Sequence, residues 1–72
     1  MQNQENIAAV QRMQDFIDSH LKERINLRML ADAAGYSPWH AAKIFKELTG
    51  KSPFDYIRMI RLSRAAVRLR EE

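Results

Sequence analysis

Gly35-Tyr36-Ser37-Pro38-Trp39-His40-Ala41-Ala42-Lys43-Ile44-Phe45-Lys46-Glu47-Leu48-Thr49-Gly50-Lys51-Ser52-Pro53-Phe54 decides the fold of this chain. The only two glycines, 35 and 50, and the only two prolines, 38 and 53, all fall inside it. Each glycine stands where a chain leaving a helix needs positive φ, and each Ser-Pro pair restarts one. Ser37 and Ser52 are N-caps whose hydroxyls accept from free helix N–H groups, and Asp55 three residues after Ser52 forms the pattern of a capping box. The stretch predicts a turn, a helix over 38–49, a second turn, and a further helix over 53–70.

Working outward, Ile7, Val10, Met13, Ile17 and Leu21 recur at helical spacing and predict a first helix over 4–21. Asn26 caps a short second helix, Leu27–Ala34, with Leu27, Leu30, Ala31 and Ala34 inward. No strand-like alternation interrupts this pattern. The expected fold is all-α: about four helices, one helix-turn-helix at 26–50, and a long closing helix.

Length and composition exclude much else. At 72 residues the chain forms one small domain. It lacks cysteine, which removes disulfides, thiolate metal sites and cysteine nucleophiles. His20 and His40 have no carboxylate constellation beside them, so no metal, cofactor or catalytic residue is expected. No apolar run approaches the ~18 residues that span a bilayer, and the polar N-terminus is unlike a signal peptide. A cytoplasmic protein is expected, associated with the nucleoid if it meets DNA.

The net charge of +3 conceals a segregation. Residues 1–20 hold Arg12 against Glu5, Asp15 and Asp18, whereas residues 43–70 hold eight Lys or Arg against Glu47 and Asp55. A basic surface at one end suits a polyanion, although such a run also serves as a solvated helix face.

Helical geometry sharpens the choice. At ~100° per residue, Ala41, Ile44, Phe45 and Leu48 share one side of the helix over 38–49, and Trp39, Ala42, Lys43 and Lys46 share the other. The first set is expected in the core. The second presents an aromatic and two lysines at the start of a helix, as the major groove requires. Trp39 suits sugars and thymine methyls, Ala42 permits close approach, and Lys43 donates to guanine O6/N7. Lys46, one turn on, suits phosphate. His40 lies on the flank between the two faces as a packing or capping residue.

The string Ile25-x-Leu27-x-x-Leu30-Ala31-x-x-Ala34-Gly35-Tyr36-Ser37-x-x-His40 closely resembles the AraC/XylS family of bacterial transcription regulators. So do Phe45-Lys46-x-x-Thr49-Gly50-x-Ser52-Pro53-x-x-Tyr56-Ile57-Arg58 and Arg61-Leu62-x-x-Ala65-x-x-x-Leu69. A motif so near Met1 is similar to the layout of the MarA/SoxS/Rob-like members. The resemblance implies two helix-turn-helix units joined by a long helix, of which this chain would hold the first unit and the joining helix. Its recognition positions carry over to Trp39, Ala42, Lys43 and Lys46, with Ser37 at the helix start. Taken with the charge pattern, base contacts are expected from Trp39, Ala42 and Lys43, and backbone contacts from Ser37, Lys46, Lys51, Arg58 and Arg61. Family members often carry glutamine and arginine where this chain has Ala42 and Lys43; lysine lacks the bidentate fork of arginine, so softer base discrimination is expected.

Double-stranded DNA is thus the expected partner of an activator-like module. The competing reading is a protein-interaction module that docks RNA polymerase or forms a homodimer through helix 53–70. There Met59, Leu62, Ala66 and Leu69 make one apolar strip, and Tyr56, Ile60 and Val67 an adjoining one. On its polar side Arg61, Arg64 and Arg68 lie together and read first as a solvated face.

Overall fold

The computed structural model describes residues 3–71, and the side chains of residues 4–65. Four helices follow in order: α1 Asn3–Ser19, α2 Leu27–Ala34, α3 Pro38–Thr49 and α4 Pro53–Glu71. Among the described residues there is no strand. No helix among them is long and apolar enough to cross a membrane.

The caps form as the sequence requires. Asn26 Oδ1 accepts from Met29 N at 2.9 Å, Ser37 Oγ from His40 N at 3.2 Å, and Ser52 Oγ from Asp55 N at 3.2 Å. Gly35 and Gly50 both close their helices at φ 82°. Their N–H groups donate to Ala31 O and Lys46 O, each at 2.8 Å. Three caps and two left-handed glycines therefore set the boundaries of α2 and α3 and the start of α4 through local chemistry alone.

Helices α1, α2 and α3 pack around one core, in which Met13, Ile17, Leu30 and Phe45 are the largest fully buried side chains. Ala9, Val10, Ile25, Ala31, Ala34, Ala41, Ile44 and Ile57 complete it. Helix α4 joins through its first turns: Ile57 is buried, and the Tyr56 ring meets Phe45 edge-on at 5.3 Å. The molecule measures 46 × 23 × 15 Å along its principal axes.

Helical periodicity overextended the core at its open edge. Ile7 and Leu48, expected inward, are 44% and 43% exposed. Both line a shallow groove with Val10, Gln11, Gln14 and Thr49, where the start of α1 runs past the end of α3. Leu27 is half-buried, and Leu21 lies beyond the end of α1 but still packs on the core. Ile25 and Ile57 are buried although they belong to no periodic set, because a residue before a cap and a single anchor in a mixed helix carry no period of their own. On α4, Leu62 and Met59 are exposed and Ile60 is half-buried. Ala66, Val67, Arg68 and Leu69 lie outside the residues whose side chains are described.

Two arginines tie the bundle by donating to main-chain carbonyls. Arg12 reaches from α1 to the end of α2, with Nε 3.1 Å from Ala33 O and Nη2 2.7 Å from Ala34 O. These are among the carbonyls that a helix C-terminus leaves without intrahelical partners, and the guanidinium also meets the negative end of the helix dipole. Arg12→Ala is expected to cost about 1–2 kcal/mol, the worth of a charged donor to two partly exposed carbonyls. A lowered urea midpoint with an unchanged slope would show it; an unchanged midpoint would mean that the fork is ornamental. Arg61 does the same from α4, donating from Nε to Leu21 O at 3.2 Å and from Nη2 to Glu23 O at 2.8 Å. Arg64 faces Asp18 at 3.6 Å, an exposed pair of small value.

Candidate nucleic-acid interface

The site rests on the turn between α2 and α3. Tyr36 N joins Gly35 N on the Ala31 carbonyl, and the Tyr36 ring stacks on His40 at 4.5 Å. The Tyr36 hydroxyl donates to Asn6 Oδ1 at 3.3 Å, pinning the turn to α1. His40 is thus a packing residue, half-buried at the flank. A Cβ at Gly35 would meet no atom within 4 Å, so its only obstacle is the φ of +82°. Gly35→Ala is expected to cost about 1 kcal/mol of stability, and Gly35→Asn less, because asparagine tolerates the left-handed region. Equal urea midpoints for both variants would contradict that account.

With α2 buried through Leu30, Ala31 and Ala34 and α3 through Ala41, Ile44 and Phe45, the opposite face of α3 is left to solvent. Trp39 is 72% exposed, the most open of the large apolar side chains among the described residues. The Lys43 ammonium lies over its ring, 5.3 Å from the centroid, a cation–π contact one turn along the helix. Trp39, Ala42, Lys43 and Lys46 line one open groove of about 400 Å³, closed on its far side by Ser52 and Pro53. The four residues expected on the outer face therefore stand together.

The remaining expected contacts divide. Lys51 and Arg58 are exposed beyond the α3–α4 turn, and Lys51 is held there by its N–H, which donates to Thr49 Oγ1 at 3.2 Å. Ser37 is exposed, its Oγ occupied as an acceptor by the cap to His40. Arg61 stands apart: its guanidinium is committed to the loop after α1 and supports the fold. Sequence reasoning missed Ser52 and Pro53 as walls of the groove. They read only as a helix start, and their return beside α3 is a property of the turn at Gly50.

Comparison with known proteins supports the helix-turn-helix assignment. Residues 30–72, from the middle of α2 onward, match a helix-turn-helix domain family. The chain belongs to the AraC-type helix-turn-helix family. Over 55 residues it is 44% identical to the right origin-binding protein of Escherichia coli K12 and to the transcriptional regulator Rob of Salmonella typhimurium. That stretch is 76% of this chain and 19% of either relative. Over 61 residues it is 38% identical to the regulatory protein SoxS of Escherichia coli K12, which is 85% of this chain and 57% of SoxS. The chain thus spans about a fifth of the first relatives and little more than half of SoxS. No solved structure matches it significantly.

Proposed function

We propose that this chain is a DNA-binding module of a transcription regulator, and that α3 enters one major groove. The observation that carries the reading is the pairing of the open Trp39 ring with Lys43 on the outer face of the second helix of a helix-turn-helix. Family membership supports it, as do relatives named for regulation and origin binding. In this reading Trp39, Ala42 and Lys43 meet base edges. Lys46, Lys51 and Arg58 meet phosphates, and the Ser37 hydroxyl proton is directed to another. Arg61 is left out, because its donors hold the loop. The module binds rather than catalyses, and its place is with chromosomal DNA in the cytoplasm.

The exposed Met59 and Leu62 on α4 are the surface on which a second copy or RNA polymerase would dock in the finer form of this proposal. The test is fluorescence anisotropy of labelled duplex DNA with the chain and with a Trp39→Ala, Lys43→Ala double variant, at several salt concentrations. Binding that weakens with salt and is lost in the variant supports the reading. Equal binding by both proteins would remove α3 from it, and salt-independent binding would favour partner docking.

A further inference from the structure

Helix α4 is fastened to the bundle at two places of different chemistry. Its first turns are held by the buried Ile57 and by the Tyr56 ring on Phe45. Beyond Ile57, no apolar side chain of α4 belongs to the core or packs on it among the described residues. The second place is polar. Arg61 donates from Nε to Leu21 O and from Nη2 to Glu23 O, joining residues 40 and 38 apart in sequence. No main-chain N–H among the described residues donates to either carbonyl, so the fork supplies the partner that each lacks. Arg64, one turn on, faces Asp18 near the end of α1.

Arg58 stands between the two places. It is exposed, one residue after Ile57, and lies about 60° around the helix from Arg61. Where its guanidinium reaches depends on the roll and direction of α4. A planar fork on two carbonyls restrains both, because paired donors in one plane limit rotation as well as distance. We infer that Arg61 is a positioning residue for DNA binding: it grips the loop after α1 and thereby holds Arg58 toward the phosphate backbone. The inference rests on the DNA-binding reading above, and it gives a residue outside the interface a share of the salt-dependent affinity.

The test is the salt dependence of binding to a labelled mixed-sequence duplex, read by anisotropy with the whole chain. Arg58→Gln is compared with Arg61→Met and Arg61→Lys, each alone and combined with Arg58→Gln. Native helix content is checked by circular dichroism at the temperature of the titration. Arg58→Gln is expected to flatten the slope of log affinity against log salt by about one unit. Arg61→Met is expected to flatten it by nearly as much. The combined variant should lose no more than Arg58→Gln alone, since residues that act through one contact are not additive. Arg61→Lys keeps the charge but cannot span both carbonyls, and it is expected to flatten the slope as well. It carries the comparison if Arg61→Met loses helix content.

Additive losses, about two units in the combined variant, overturn the inference, because Arg61 would then touch phosphate itself. A slope kept whole in Arg61→Lys overturns it in the same way. A slope kept whole in Arg61→Met leaves Arg61 a purely structural role, and one kept whole in Arg58→Gln removes the contact through which Arg61 acts. Either result overturns the inference and leaves the DNA-binding reading intact. Absence of binding by the unaltered chain at low salt would bring down that reading, and this inference with it.

Discussion

Phe45→Ala is expected to leave the chain largely unfolded near room temperature. Phe45 is fully buried at the centre of the three-helix core and carries the edge-on contact to Tyr56 that seats α4. Removing a buried phenylalanine costs about 3–5 kcal/mol through lost burial and the cavity left behind. A chain of 72 residues has a total stability of about 4–10 kcal/mol at the usual per-residue range. A domain this small lies toward the low end of that range, where one substitution removes half or more of the folding free energy. The measurement is far-UV circular dichroism in urea, since the exposed Trp39 is a poor reporter of unfolding. Leu48→Ala is the control: Leu48 is 43% exposed, and its loss is expected to cost less than about 1 kcal/mol. Equal midpoints for the two variants would refute the division of α3 into an inward and an outward face.

The second large effect is on binding. Lys46, Lys51 and Arg58 are the three exposed cations that the proposed orientation brings to phosphates. Each phosphate contact releases condensed counterions, so three contacts give a slope of log affinity against log salt of about −3. Raising salt from about 50 to about 200 mM is then expected to weaken binding roughly fortyfold. Lys51→Gln should flatten the slope by about one unit and change no base preference, since a phosphate contact carries no sequence information. Lys43→Gln should chiefly change base preference, because Lys43 is held over Trp39 at the base-reading end of α3. A flat salt response in the unaltered chain would sink the electrostatic basis of the proposal. An unaltered slope in Lys51→Gln would sink the orientation that places the α3–α4 turn on the backbone.

These two experiments probe opposite faces of one twelve-residue helix. Ile44 and Phe45 are pulled inward by burial, and Trp39 and Lys43 are left outside because no element of the described fold covers them. The turn at Gly35, pinned by Tyr36 to α1, sets the angle at which α3 leaves the bundle. Arg12 secures the other side of that turn by holding the last carbonyls of α2. Positioning of the candidate interface is therefore shared among three helices, while its chemistry lies on one.

The sequence by itself determined what depends on neighbours in the chain. Asn26, Ser37, Gly35, Gly50 and the Ser-Pro pairs act through bonds only a few residues long, so the limits of α2 and α3 could be read directly. The two faces of α3 were equally legible, because helical periodicity assigns Trp39, Ala42, Lys43 and Lys46 to one side before any packing is known. Tertiary structure decided whatever depends on contacts distant along the chain. It left Ile7 and Leu48 half-open, since α1 and α3 do not end together. It made Ile57 the buried anchor of α4 and took Arg61 out of the candidate interface by giving it the carbonyls of Leu21 and Glu23. It also brought Pro53 back beside Ala42 to make a groove. No periodicity encodes these contacts, because each joins residues whose nearness exists only after the helices have packed.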